Sequence, residues 1–370
     1  MFKNKIFIVL FACLSILSSC GDLTEVSQPS TKTHVKGDTS VRPKHLQRVS
    51  FAELPGWKQD DTRYALAAFR NTCKARLQYV GKVVPDKFLL EEKCQVMPPV
   101  AADNATVRAW FESHFQPYRL AFEDGKTKGT FTGYYSPTIP ACRVKTAKCS
   151  DPLMAPPTDG RDYKGVDKTT IVKNQIGRVL FWADPVDVQN IQIQGSGMVK
   201  LEDGSVVKLN FAAVNDLPFK SIGDQLKQRG IRPPDGFSAA AVWKYLKTQP
   251  DLAREVIYNN PRYVYFNQVE QHDVIGKIGT PLTKIRSIAI DDSIYTVGLP
   301  VYVDTSLSDN RKFQRLMIAQ DTGSAIRGWV RADIFFGTGE EAEIYASPQY
   351  AQGEMFMLMP KEYQYVKPTW

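Results

Sequence analysis

The sequence predicts a mainly β, α+β protein built on a small β-barrel, with further β-rich structure and peripheral helices. Short strand-like runs separated by glycine turns recur on both sides of a helical stretch. The helical segments are few and carry recognisable end signals. Hydrophobic content of 43% and charged content of 23% are ordinary for a globular chain.

The first segment stands apart from that fold. Lys3 and Lys5 form a short basic region, and residues 6–17 are apolar or small, too short to span a bilayer as a helix. The run ends in Leu17-Ser18-Ser19-Cys20, followed by Gly21, and resembles a bacterial lipobox. Residues 1–19 then read as a signal peptide and Cys20 as the lipidated N-terminus. A secretory signal with a chance cysteine is the alternative. Residues 20–45 are rich in Ser, Thr, Lys and Pro without an apolar period, and read as a flexible tether. No later stretch has the length and apolarity of a membrane-spanning helix, so the body is expected to be soluble. About 350 residues remain, enough for two domains with cores.

Residues 61–77 have apolar positions at helical spacing behind Asp61 as N-cap. A second helix is predicted over 106–115. The aromatic, β-branched run 129–135 reads as a strand, ended by Pro137 and Pro140. From 137 to 219 short strands and loops follow. Residues 191–194 alternate apolar and polar, Gly195-Ser196-Gly197 turns the chain, and 198–201 with 206–211 form a hairpin around Asp203-Gly204. Helices are predicted over 222–229 with Gly230 as C-cap, over 239–248 behind Ser238, and over 252–258 behind Asp251. Strands resume at 263–266, 287–290, 300–303, 315–319 and 333–336.

Cys73, Cys94, Cys142 and Cys149 remain after the signal segment, an even number in an oxidising compartment. Close spacing suggests Cys73–Cys94 and Cys142–Cys149, one of three connectivities; four buried thiols are the alternative. There is no CxxC pair and the His residues are scattered, so no metal site is expected. The net charge of +8 suits an acidic polymer or an anionic envelope, although a merely solvated surface explains it better than a dedicated patch. Nucleic acid is not an expected partner.

Asp291, Asp321 and Asp333 each sit beside a predicted strand. Strand ends on a barrel can bring distant residues to one rim. A carboxyl among apolar walls and other carboxyls has a raised pKa and can donate a proton near neutral pH. Taken singly, an aspartate at a strand end is usually a turn or cap residue.

The strings around them say more. Asp321-Thr322-Gly323-Ser324-Ala325-Ile326-Arg327-Gly328, followed by Asp333-Ile334-Phe335-Phe336-Gly337, resembles the three-aspartate domain of peptidoglycan-active double-psi β-barrels. Upstream lie Phe131-Thr132-Gly133-Tyr134-Tyr135-Ser136-Pro137, Gln194-Gly195-Ser196-Gly197, Ser221-Ile222-Gly223 with Arg229-Gly230, and Asn260-Pro261-Arg262-Tyr263-Val264-Tyr265-Phe266. In that order the motifs resemble the membrane-bound lytic murein transglycosylase A family over residues 130–339. The resemblance implies a double-psi β-barrel from 46–137 and 263–370, interrupted by a β-rich domain at 138–262. A groove between the two would hold the glycan.

It further implies cleavage of the β-1,4 MurNAc–GlcNAc bond without water and without a cofactor. Asp321 falls on the catalytic position, with Asp333 in support and Asp291 structural or supporting. Thr132, Tyr134, Tyr135, Gln194, Gly195, Ser196, Gly197 and Gly323 fall on the groove. Adjacent Tyr134 and Tyr135 must point to opposite faces of a strand, one for a sugar ring and one for the core. Gly323-Ser324 replaces the family's Gly-Gly, and the step from Asp321 to Asp333 is one residue longer than the family's. The implied location is the periplasmic face of the outer membrane, with glycan strands and the membrane as partners and other cell-wall enzymes left open. Two other readings stand beside this one: a glycan-binding envelope lipoprotein without activity, and a muramidase using Asp321 with Asp333 or Asp291 to activate water.

Overall fold

The structure, a computed structural model, describes residues 44–75, 83, 87–270 and 273–363. The expected signal segment, Cys20, the tether up to 43 and positions 76–77 of the first expected helix lie outside the described residues.

Strand β1 (Leu46–Arg48) precedes helices α1 (Thr62–Cys73), α2 (Lys87–Gln95) and α3 (Asn104–His114). Asp61 caps α1 as expected, accepting the Arg63 N–H at 3.2 Å. Lys74 and Ala75 are already outside the helix, so α1 ends before the expected boundary. The α3 cap is Asp103, which accepts the Thr106 N–H at 2.7 Å, and so the helix starts earlier than 106. Phe115, expected in that helix, opens strand β2 (Phe115–Leu120) instead. A disulfide joins Cys73 to Cys94 and pins α1 to α2.

After β3 (Gly129–Ser136) come the strands β4 (Thr138–Pro140), β5 (Asp151–Ala155) and β6 (Arg178–Ala183), with helix α4 (Lys168–Lys173) before β6. The second disulfide, Cys142–Cys149, closes the loop between β4 and β5. Helix α5 (Pro185–Gln194) follows, and corrects the strand-like reading of 191–194. Asp184 caps it through the Val186 N–H at 2.9 Å, and Pro185 occupies the first turn. Four alternating residues are too short a run to outweigh those start signals.

Strands β7 (Ser196–Lys200) and β8 (Val206–Val214) form the expected hairpin. Helices α6 (Ile222–Gln228), α7 (Ala239–Lys247) and α8 (Pro250–Tyr258) follow. Helix α8 begins with Pro250 inside its first turn, so Gln249 rather than Asp251 is its cap. Strand β9 (Val264–Val269) pairs with β8, completing the sheet β4-β7-β8-β9. The domain boundary expected at 262 therefore falls too early: 264–269 belongs to the sheet of the intervening segment.

The remaining strands are β10 (Ser287–Ile290), β11 (Pro300–Ser306), β12 (Lys312–Thr322), β13 (Arg331–Thr338) and β14 (Tyr350–Pro360), with α9 (Gly339–Ala346) before the last. Strand β14 pairs with both β11 and β3, so β14, β11, β12, β10, β13 and β3 close into a ring. β10–β12 and β13–β3 are parallel; the other neighbours in the ring are antiparallel. Strand β14 also carries β2 and β1 beyond the ring.

This mixed β-barrel with additional sheets and helices is the expected α+β class. Its core runs from Phe69, Phe111 and Phe115 to Ile288, Ile318 and the run Met355–Met359, all fully buried. The segment between β3 and β10 packs around separate cores, one under the β4-β7-β8-β9 sheet and one among α6, α7 and α8. Gly133 permits the contact that seats α9 on the barrel: a Cβ there would lie 2.9 Å from the Ala346 Cα.

Candidate active site

Strand alternation aims the key carboxylate. Gln320 points inward, fully buried, and its Nε2 donates to the Ala68 carbonyl at 3.0 Å and to Thr72 Oγ1 at 3.1 Å on α1. Asp321 therefore points outward. Across the sheet, Ala289 of β10 pairs with Asp321 on one side and with Asp333 on the other, and Asp333 pairs with Thr132 of β3. In-register neighbours share a face, so both aspartates stand on one wall, divided by the small Ala289. Two strand spacings put their Cα atoms about 10 Å apart.

That wall floors a groove of about 900 Å³. Its opposite side comes from the intervening segment: Gln189, Gln192 and Gln194 of α5, Asn210 of β8, and Asn260 with Asn267 around β9. Tyr134, Gly195, Ser196 and Gly323 also line it. Gly195 ends α5 in the left-handed region at φ 75°. Gly197 lies behind the lining, where a Cβ would meet the Ile191 side chain at 2.4 Å and the Pro137 carbonyl at 3.0 Å.

Asp321 accepts three hydrogen bonds. Tyr134 Oη donates at 2.9 Å to Oδ2; the Thr322 and Lys277 N–H groups donate to Oδ1 at 2.9 and 3.1 Å. Burial in the surrounding protein raises its pKa, the three donors lower it and Asp333 raises it slightly, with a net result of about 6. Burial, rather than repulsion from Asp333, is the leading cause. Burial and the Asp321 charge together push the Tyr134 hydroxyl well above its usual value, so it remains a donor at neutral pH.

Asp333 accepts from Thr132 Oγ1 at 2.6 Å, and that hydroxyl accepts from Arg331 Nη2 at 2.8 Å. Burial raises the Asp333 pKa against the opposing pull of Arg331 and Thr132. Asp291 is different. It is buried, and it accepts from Arg327 at 2.8 Å, from the Gly328 N–H at 2.8 Å and from Ser293. Burial alone would raise it, but these donors bring its carboxyl below the ordinary value. Asp291 thus ties down the far end of the loop that starts at Gly323.

Tyr135 turns away from the groove and is buried. Its hydroxyl accepts from Asn190 Nδ2 at 3.2 Å, and its N–H donates to Gln194 Oε1 at 3.1 Å. The sequence reading missed Gly276 and Lys277. A Cβ on Gly276 would lie 2.5 Å from the Gln320 carbonyl, so glycine lets this loop approach β12 and deliver the Lys277 N–H to Asp321. It also missed the carboxamide wall on α5, because Gln189 and Gln192 share a face only at helical spacing. Asn260 was legible within the Asn-Pro-Arg motif. Among the described residues, no group of three or more His, Cys, Asp or Glu is placed to hold a metal ion.

A closed mixed barrel presents two raised-pKa aspartates to a groove, with an inserted sheet and helix as the facing wall, which defines a class of barrel with an acid/base groove. The model described as the MltA specific insert domain matches residues 130–267, and that of the 3D domain, which is the double-psi barrel, matches 286–359. Together these segments take in more than half of the chain. Membrane-bound lytic murein transglycosylase A of Escherichia coli (strain K12) is 31% identical over 221 residues, which is 57% of this chain and 60% of that protein. The match thus spans about three fifths of that relative's length. A crystal structure of membrane-bound lytic murein transglycosylase from Agrobacterium tumefaciens superposes with a TM-score of 0.76 at 27% identity, covering 86% of this chain and 98% of that one. Escherichia coli MltA with bound chitohexaose shares the fold at a TM-score of 0.68 and 21% identity, covering 87% of this chain and 98% of that one. This chain belongs to the membrane-bound lytic murein transglycosylase A family.

Proposed function

We propose that this protein is a peptidoglycan lytic transglycosylase in which Asp321 serves first as acid and then as base. The observation that carries the reading is the Asp321 carboxyl, poised at about 6 on the floor of the groove. A group with such a pKa can hold a proton and can also accept one near neutral pH. The names of the relatives and the chitohexaose bound to a protein of the same fold support a glycan substrate.

In this reading Asp321 protonates the oxygen of the β-1,4 bond between MurNAc and GlcNAc, and that bond breaks. The C6 hydroxyl of the same MurNAc attacks C1, and Asp321 takes the hydroxyl proton. A 1,6-anhydro ring closes, no water is consumed, and Asp321 ends protonated as it began. An intramolecular nucleophile has a high effective concentration, so a second carboxylate to activate water is unnecessary. Tyr134 and the Thr322 and Lys277 amides orient the carboxyl and favour its charged form once the proton has left.

Asp333 supports the site electrostatically, positioned by Thr132, and Asp291 holds the loop. Gln194, Gly195, Ser196 and Gly323 shape the sugar-binding surface, while Gly197 and Tyr135 pack behind it. The barrel portions and the intervening segment act as two domains flanking the glycan. Lipidation at Cys20 would hold the enzyme on the periplasmic face of the outer membrane. Among the described residues no helix is long and apolar enough to cross a membrane. Acylation is tested by Cys20→Ala, which should leave an unprocessed precursor; normal maturation would refute the anchor.

Product analysis of digested sacculi tests the activity itself. Anhydro ends are expected. Reducing ends would assign a hydrolase using Asp333 as its second carboxylate, and an unchanged polymer would assign a binding protein.

A further inference from the structure

A second cleft, of about 690 Å³, shares no lining residue with the groove. It lies where the start of α1 meets β12 and the turn before β10, and includes Asp60, Tyr64, Ile285, Arg286, Lys312 and Arg315. Arg286 is satisfied: buried Asp60 accepts from it twice, at 2.8 and 3.0 Å. Asp60 also accepts the Leu316 N–H at 2.7 Å, so its charge is spent within the floor.

Arg315 differs from Arg286. Its guanidinium is half-buried and stacks over the Phe313 ring at 5.0 Å, and among the described residues it has no hydrogen-bonding or ion-pair partner. Lys312, three residues earlier on the same strand, is exposed and likewise has no anionic partner among the described residues. Two cations thus line one cleft without ion-pair partners of their own among the described residues, although Asp60 and Asp61 also line it. The Arg315 guanidinium is not sealed from solvent, so an anion entering the cleft would meet it without breaking an internal hydrogen bond, and a charge-assisted pair could form there.

The walls narrow the choice of anion. Tyr64 is 59% exposed, carries the Arg286 guanidinium over its ring at 5.7 Å, and offers an apolar face beside the cations. Ile285 holds a φ of 51°, a left-handed conformation that a β-branched side chain rarely adopts, so the turn that places it here is held against local strain. The space is larger than a single inorganic ion needs and falls in the range of small organic ligands. Asp60 and Asp61 nearby disfavour a dianion such as phosphate. A guanidinium fork fits a carboxylate or a phosphate, and it is the lower charge of a single carboxylate group that suits a site beside these two aspartates.

We propose that this cleft binds a short acidic peptide through a free carboxylate, and that the peptide stems of the polymer cleaved in the groove are its source. The second clause rests on the transglycosylase reading; the first does not. Along β12, Arg315 lies about 20 Å from Asp321. That is close enough for one polymer to occupy groove and cleft together.

The test uses the full chain with Asp321→Asn, so that no substrate is consumed. The probes are a synthetic tetrapeptide with one glutamate and a free C-terminal carboxylate, its fully amidated counterpart, and inorganic phosphate, each titrated calorimetrically. Binding of the acidic peptide should weaken about tenfold or more with Arg315→Gln. It should weaken less with Lys312→Gln, an exposed change that cannot disturb the core, and should be unaffected by Gln194→Ala in the groove. The amidated peptide should not bind. Equal affinity for the amidated peptide, equal binding by the Arg315→Gln and Lys312→Gln proteins, or displacement by phosphate as effective as by peptide would each overturn the proposal. The stem clause is read separately: Arg315→Gln should weaken binding to stem-bearing glycan but not to glycan stripped of stems. Equal weakening on both would remove the stems as the source.

Discussion

Asp321 carries its raised pKa because burial penalises its charge more than three donors relieve it. With a pKa of about 6, the acid form falls about tenfold for each unit above that pH. Turnover limited by protonation of the glycosidic oxygen should therefore decline above pH 6 with unit slope, measured as anhydro-end release against pH. The same shift bears on stability. A carboxyl raised in the folded state contributes stability that is complete below its unfolded value near 3.9 and is lost as pH rises through the folded value. Asp321→Asn removes that loss, and should raise the thermal midpoint at pH 8 while leaving it unchanged near pH 3.5. With allowance for partial exposure, the gain is about 1–2 kcal/mol. An equal or lower midpoint at pH 8 would mean that burial does not dominate at this position. Gly276 offers a second test beside it. Gly276→Val should push the loop off β12 and withdraw the Lys277 amide, reducing kcat with little change in melting temperature; wild-type kcat would remove that amide from the account.

At the scale of elements, the legible parts were those whose own residues announce them. Asp61, Ser238 and the Asp203-Gly204 turn each mark an element boundary through a local hydrogen bond or turn preference. Strand β14 was not legible: Met355-Phe356-Met357-Leu358-Met359 is buried on both faces, so it shows no alternation, and Met and Leu carry little strand preference. Helix α5 was hidden by four alternating residues at its end, and the carboxamide face was hidden with it. Lys277 could not be found by type, because its contribution to the site is a main-chain N–H. Both cysteine pairs suggested by spacing are bonded, and each crosslinks a short segment. Reduction should lower the unfolding free energy by about 2–4 kcal/mol per bridge, measured by denaturant unfolding with and without reductant. Unchanged midpoints would show that the bridges constrain nothing.

The whole molecule is a barrel interrupted by a segment with its own cores, and the two are joined by buried polar contacts. Lys208 of β8, almost wholly buried, donates to Ser136 Oγ at the end of β3 at 2.7 Å. Burial lowers that lysine to about 8. On the barrel side, Asp60 fastens the start of α1 to Arg286 and β12. Removing one partner of a buried pair strands the other, so Asp60→Ala should cost about 3–5 kcal/mol in chemical denaturation. A loss below 1 kcal/mol would contradict that role. The return of the chain to the barrel after an excursion was readable from motif order. Its point of return was not, because β9 and the barrel strands are equally apolar and only pairing distinguishes them.

The central claim is that one carboxyl, Asp321, transfers the proton in both directions. The direct measurement is mass spectrometry of sacculi digested by wild-type protein and by Asp321→Asn, with circular dichroism confirming that the variant is folded. The account predicts 1,6-anhydro-MurNAc ends from the wild type and a loss of several orders of magnitude from Asp321→Asn, with a smaller loss from Asp333→Asn. Anhydro ends from folded Asp321→Asn at near wild-type yield would contradict it and move the chemistry to Asp333.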